Sequence, residues 1–292
     1  MFNYEGTLYR PPSEARSLII QITIGCAHNT CTFCNMYKAK TFRIRTEEEI
    51  LAELRAVAGS PYRDFFRRVF FADGDALCVP TDRLLRLLAA VRELLPSVER
   101  VSSYATAADV LRKSPEELAA LRAAGLSLVY MGAESGDAEI LRAIHKGCTP
   151  EEYAAAADRL HEAGIGNSVT LISGLGGRAA VERHALACAE LISAMKPEFC
   201  SFLTLRLYKG TPMYDDLVSG RFERITDREV LEEMVLFLEH VDAEGTVFRS
   251  NHASNYLPLA GTLNRDIPSL LSAIRYAEAH GYRRAFREYG DL

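Results

Sequence analysis

The sequence predicts a mixed α/β protein, a partial (βα)6 TIM-like barrel with a short C-terminal extension, on three observations. Short β-branched or aromatic runs alternate with amphipathic helical stretches along the chain, the pattern of βα units around a parallel sheet. The 292 residues, 48% of them hydrophobic, can bury a full core and sit near the size at which one core stops growing. No internal repeat, low-complexity stretch or interdomain linker breaks the alternation. A doubly wound open sheet is the competing arrangement. Residues 1–17 read as an N-terminal segment, 18–242 as the barrel and 243–292 as an extension that closes it.

Each element has its own signal. Leu18 to Thr23 (LIIQIT) is the first strand, followed by a cysteine-bearing loop and a helix over Glu47 to Ala58. Arg68 to Ala72 is the second strand, leading through Asp73-Gly74-Asp75 to a helix near Arg83 to Leu94. Val101 to Tyr104 is the third. The helix after it, Pro115 to Ala124, has Ser114 placed as N-cap and Gly125 just past its end, the usual residues at those positions. Ser127 to Met131, Ser168 to Ile172 and Phe199 to Leu205 are the next strands; Pro150 to Ala163, Val181 to Met195 and Asp227 to Val241 are the helices that follow them. Thr246 to Arg249 reads as an edge strand and Ile267 to Phe286 as a last helix.

Charge and targeting signals narrow the function classes. The net charge is −5 and no basic run occurs, which disfavours a nucleic-acid partner held by its phosphates. Met1 to Arg16 carries charges and prolines where a signal peptide needs an apolar core. No apolar run reaches 18 residues, so no membrane span is expected and the chain reads as cytoplasmic. In that compartment the seven cysteines point to metal or thiol chemistry before disulfides.

Three of those cysteines, Cys26, Cys31 and Cys34, share one loop after the first strand. Loops at the C-terminal ends of strands carry the chemistry of parallel barrels. Soft thiolates close in sequence can converge on one metal centre, and three of them on a four-iron cluster leave one iron open to bind a small molecule. A zinc site using His28 as fourth ligand is the other metal reading. Cys78, Cys148, Cys188 and Cys200 stand singly and read as small buried hydrophobes.

The loop Gly25-Cys26-Ala27-His28-Asn29-Thr30-Cys31-Thr32-Phe33-Cys34, with an aromatic residue before its last cysteine, resembles the radical S-adenosylmethionine (SAM) superfamily. Its spacing of four residues then two departs from the common three then two. Ala72-Asp73-Gly74-Asp75 after the second strand is similar to the superfamily's Gly-Gly-Glu position, with one glycine where two are usual. Gly132-Ala133-Glu134-Ser135-Gly136 resembles its Glu-Ser-Gly segment, and Lys146-Gly147 a recurring pair beyond it. Ser173-Gly174-Leu175-Gly176 and Leu205 to Tyr214 (LRLYKGTPMY) look like its adenine-side segments. The bland readings are a tight Asp-Gly-Asp turn and an N-cap at Ser135 or Asp137.

The resemblance implies a [4Fe–4S] cluster on Cys26, Cys31 and Cys34, and SAM held by Tyr37, Gly74, Asp75, Glu134, Ser135, Ser173, Gly174 and Thr211. It implies reductive cleavage of SAM to methionine and a 5′-deoxyadenosyl radical, which takes hydrogen from a small-molecule substrate. A reductant such as flavodoxin or ferredoxin would supply the electron. Arg206, Arg249, Asn251, His252 and Tyr104 are the candidate catalytic residues, the arginines suiting a substrate carboxylate or phosphate. No second cysteine cluster and no cobalamin-binding domain are visible. An iron–sulfur carrier protein and a zinc-site barrel enzyme are the rival functions.

Overall fold

The computed structural model describes residues 4–281. Strand β1 (Leu18–Gln21) and the two-residue β2 (Thr23–Ile24) lead into the cysteine loop, which returns through β3 (Arg43–Ile44) to α1 (Glu47–Ala58). Next come β4 (Arg68–Ala72), α2 (Thr81–Leu94), β5 (Arg100–Ala105), α3 (Ala107–Arg112) and α4 (Pro115–Ala124). They are followed by β6 (Leu126–Glu134), α5 (Ala138–Ala143), α6 (Pro150–Ala163), β7 (Gly166–Ser173) and α7 (Val181–Met195). The chain continues through β8 (Phe199–Thr204), α8 (Pro212–Val218), α9 (Asp227–His240), β9 (Val247–Arg249), β10 (Ala260–Thr262) and α10 (Ile267–His280).

One sheet takes the order β1-β4-β5-β6-β7-β8-β9-β10. The pairs β1–β4, β4–β5, β5–β6, β7–β8 and β8–β9 are parallel, and β10 is antiparallel to β9. The mostly parallel sheet with helices between its strands is the expected partial βα barrel architecture. Its strands are buried almost throughout, as in β1 and in Val69 to Ala72 of β4, because helices cover a parallel sheet. Thr46, Thr106, Ser114 and Thr226 each form a capping box with the acidic residue three positions on, which fixes the helix starts and hence the loops above the strands.

Some elements were not expected. The first strand stops at Gln21, and Thr23–Ile24 pair instead with Arg43–Ile44 in a separate antiparallel ribbon. That ribbon closes the base of the cysteine loop. Helices α3 and α8 and strand β10 are also additions. The last helix is seen from Ile267 to His280; the remainder of its expected span, to Phe286, lies outside the described residues.

The described chain divides into two compact units. The first holds 4–30, Cys34–Met131 and Ala155–Asn167; the second holds Cys31–Phe33, Gly132–Ala154 and 168–281. In the first, Ile19, Phe70, Ala72, Leu128 and Tyr130 form an interior cluster joined by Leu8 and Tyr104. Below it Glu14, fully buried, accepts hydrogen bonds from Tyr130 Oη (2.6 Å), Ser102 Oγ (3.0 Å), Arg100 Nη2 (2.6 Å) and Ser17 Oγ. In the second unit, Phe202 packs edge-on against Phe237 at 4.6 Å and Phe248 stacks on Phe237 at 6.0 Å. Among the described residues no helix is long and apolar enough to cross a membrane.

Candidate active site

The cysteine loop of the first unit is built around one carboxylate. Asp73 ends β4 with no solvent exposure, and its Oδ2 accepts from Lys40 Nζ at 2.7 Å and from the Gly25 amide at 3.2 Å. Gln21 Nε2 adds a longer contact of 3.4 Å. Gly25 opens the loop with φ +77°, a conformation that suits glycine, and Lys40 lies just past its last turn. One buried anion thus ties down both ends of the loop. Within it, Asn29 Nδ2 donates to Tyr37 O at 3.1 Å, and Lys38 Nζ donates to Asn29 O at 2.6 Å.

Gly74 lies under the Tyr37 ring, so close that a Cβ there would stand 2.4 Å from a ring carbon. Tyr37 is buried, meets Tyr9 edge-on at 5.5 Å and carries Lys40 Nζ 5.5 Å from its ring centre. Burial and the neighbouring Asp73 carboxylate push its hydroxyl pKa far up, so Tyr37 stays neutral. Asp75 is buried beside it in sequence. Tyr104 packs edge-on against Phe70 at 4.9 Å, its pKa raised by burial and by Asp73.

In the second unit the stretch Cys31, Thr32 and Phe33 is tied down through the backbone of Thr32. The Thr32 amide donates to Ile144 O at 3.0 Å, and its carbonyl accepts from the Met213 amide at 3.1 Å. Glu134 ends β6 at φ +68° and pairs with Lys146 Nζ at 2.9 Å. Burial opposes the Lys146 charge, but Glu134, Tyr153 and Cys31 outweigh it and hold the ammonium well above its ordinary pKa. Ser135 is fully buried and its Oγ accepts from the Asp137 amide at 3.0 Å. Asp137 in turn caps α5, accepting from the Glu139 and Ile140 amides at 2.9 Å each. At the end of β7, Ser173 Oγ and the Gly174 amide (2.9 Å) both donate to Glu233 Oε2. Thr211 caps α8 and donates to Tyr208 O at 2.7 Å.

The candidate catalytic group is largely occupied with backbone. Arg206 Nη2 donates to Ala253 O at 2.8 Å, and Arg249 Nη1 donates to Phe248 O at 2.7 Å. His252 Nδ1 meets Ser254 Oγ at 2.8 Å, and burial together with Arg206 lowers its pKa. Asn251 is exposed. Asn255, from the same polar run, is buried and saturated by Thr204 Oγ1, Phe202 O and Ser250 O.

The donor set fits an iron–sulfur cluster. Cys26, Cys31 and Cys34 are all outside any disulfide and part-exposed, as thiolate ligands must be before iron arrives. Among the described residues no group of three or more His, Cys, Asp or Glu is arranged to hold a metal ion, so the fit rests on donor type, soft thiolates that suit iron. Asp73 and Asp75, the buried carboxylates just after β4, suit an ammonium, which is a donor only.

Three residues of this machinery escaped the sequence reading: Lys40, and the pair Glu233 and His184. Glu233 had a detectable signal, because it occupies the apolar stripe of α9 with Val230, Met234 and Phe237, all buried.

Comparison with known proteins agrees with this geometry. The family model described as Radical SAM superfamily matches residues 20–187. A curated relative, the tRNA-2-methylthio-N(6)-dimethylallyladenosine synthase of Mycobacterium avium (strain 104), is 25% identical over 257 residues, 83% of this chain and 34% of that protein. The chain therefore spans about a third of that relative's length. In fold it is similar to the radical SAM methyltransferase TsrM from Kitasatospora setae with cobalamin and [4Fe-4S] cluster bound. That likeness has a TM-score of 0.57 at 21% identity, over 70% of this chain and 39% of that one. Methylornithine synthase (PylB) matches with a TM-score of 0.52 at 17% identity, over 90% of this chain and 81% of that one.

Proposed function

The chain belongs to the radical SAM superfamily, and from that premise we propose that Cys26, Cys31 and Cys34 bind the [4Fe–4S] cluster at which it cleaves SAM reductively to act on a small-molecule substrate. The observation that carries the reading is the loop after β1, where three reduced, part-exposed thiols sit in a frame the protein itself builds. When bound, the cluster supplies one electron, and the SAM it cleaves yields methionine and a radical able to take hydrogen from an unactivated carbon.

The protein's own residues then have distinct tasks. Asp75 and the backbone after β4 receive the amino group of SAM, over a floor made by Gly74 against Tyr37. Glu134, its orientation fixed by Lys146, would hold SAM on its ribose and carboxylate side. Gly174 offers close backbone approach beside the adenine, and Ser173, Ser135 and Thr211 hold those segments in shape through the bonds given above. Tyr104, Arg206, Arg249, Asn251 and His252 are the residues assigned to the substrate. Two of them, Arg206 and Arg249, act by shaping the polar run near Asn251 and His252. A low-potential donor of the flavodoxin or ferredoxin class delivers the electron. Net charge of −5 without a basic run favours a small molecule over a nucleic-acid substrate.

The test is anaerobic reconstitution with iron and sulfide, reduction with dithionite in the presence of SAM, and chromatography for 5′-deoxyadenosine. A brown protein that makes it only with Cys26, Cys31 and Cys34 intact is the expected result. A colourless protein with bound zinc, or a stable cluster that never cleaves SAM, would overturn the proposal.

A further inference from the structure

We infer that Glu233, backed by His184, and Cys188 are positioning residues of the SAM cleft, two buried supports under the segments that follow β7 and β6. This deepens the reading above and rests on it.

A carboxylate on the apolar face of α9 needs a reason. Glu233 is 1% exposed, and burying an ionised carboxylate costs several kcal/mol unless its oxygens are paired and hydrogen-bonded. Leucine would fill the same space without that cost. Both Glu233 oxygens are in use. Oε2 accepts from the Gly174 amide (2.9 Å) and from Ser173 Oγ, while Oε1 meets His184 Nδ1 at 2.6 Å. Gly174 stands at φ +80°, where the chain has left the β7 ladder and its amide has no strand partner. Glu233 supplies the acceptor.

The segment after β6 has its own support. Cys188 follows His184 by one turn of α7, and its Sγ accepts from the Gly136 amide at 3.3 Å. Gly136 leaves no gap there, since a Cβ on it would stand 2.0 Å from Ala187 O. Helix α7 is therefore flush against the segment that follows Glu134. His184, with no solvent exposure, meets Glu233 through Nδ1, while its Nε2 has no hydrogen-bond partner among the described residues. Burial opposes its charge, but the nearby Cys188 and Glu233 outweigh that and raise its pKa. Two buried supports thus reach the backbone: Cys188 Sγ at the Gly136 amide, and Glu233, with His184 behind it, at the Gly174 amide and Ser173 Oγ. They end on the two segments given to SAM, so they set where those backbones lie without touching the cofactor.

The experiment measures SAM affinity on the reconstituted holoenzyme by calorimetry, with KM and kcat for 5′-deoxyadenosine formation and with iron content. Glu233→Gln and His184→Gln should weaken SAM binding about tenfold or more, the usual effect of removing an outer support. Iron content should stay unchanged and the loss should fall on KM. Cys188→Ala and Ser173→Ala each remove one supporting bond, worth about 1 kcal/mol. Each should weaken binding about fivefold, and they carry the test if the Glu233 and His184 variants do not fold. Variants that keep wild-type affinity and KM while wild type binds SAM would overturn this inference alone. A fully loaded wild type that binds no SAM would overturn the proposed function, and this inference with it.

Discussion

Gly74 shows how tightly a single residue is specified by its neighbour. A methyl group at this position would reach 2.4 Å from the Tyr37 ring, and that ring is held by Tyr9 and by its own burial. Overpacking of this kind costs about 1–3 kcal/mol. Gly74→Ala is therefore expected to lower the urea midpoint of the protein and to reduce 5′-deoxyadenosine yield. The double variant Gly74→Ala/Tyr37→Leu should recover most of the stability but not the yield. If Gly74→Ala alone matches wild type in both measurements, the ring is more mobile than its packing indicates. The resemblance to the Gly-Gly-Glu position points to Gly74 and Asp75, and the structure adds Asp73 as the residue that ties down the loop. Its partners Lys40 and Gly25 lie 33 and 48 positions away, and local spacing carries no information about such a pairing.

At the scale of elements, boundaries were legible wherever the chain carried its own punctuation. Glu47–Ala58, Pro115–Ala124, Pro150–Ala163 and Val181–Met195 fall where periodicity and capping residues placed them. The ribbon of Thr23–Ile24 with Arg43–Ile44 was not legible, because two-residue strands have no period. Nor was α3, six residues that follow β5 almost at once. The segment before β1 was legible only as an appendage, whereas Glu14 anchors it into the interior. Glu14→Ala leaves Arg100 without its carboxylate partner and removes the acceptor that Tyr130 and Ser102 share. A loss of roughly 3 kcal/mol is expected, read from urea unfolding with slope m unchanged.

The pairing of helices α7 and α9 carries a pH signature. His184, faced by Glu233 and Cys188, has its pKa raised by them against the effect of burial. Above the ordinary histidine value of about 6.5, the folded chain keeps a proton that the unfolded chain releases. The pair's stabilisation is therefore complete below about pH 6.5 and declines as pH rises toward the raised value. The midpoint difference between wild type and His184→Gln should be largest at pH 6 and smaller at pH 9. A difference that stays constant across that range would mean that the imidazole is neutral.

For the whole molecule, the sequence conveyed the architecture and the placement of chemistry at strand ends. It conveyed less about which polar residues remain available for ligands. Ser135 and Thr211, implied by the resemblance, and Arg206 and Arg249, polar residues near strand ends, are each engaged with backbone in the fold. Composition cannot separate a polar side chain that caps a turn from one that meets a ligand, since both want the same exposed loop ends.

The clamp of Asp73 on Gly25 and Lys40 has a consequence for how the protein matures. Small zinc domains need their metal to fold, because the ligand loop has no other scaffold. Here a carboxylate and an ammonium already hold the loop, so folding is expected to proceed without the metal. Stripping iron with a chelator should leave the far-ultraviolet circular dichroism and a cooperative urea transition intact, and added iron and sulfide should restore colour without a refolding lag. A chelated protein that loses its transition would mean that the cluster is structural. The expected apo-protein is a finished client that waits, loop in place, for the machinery that delivers its iron and sulfur.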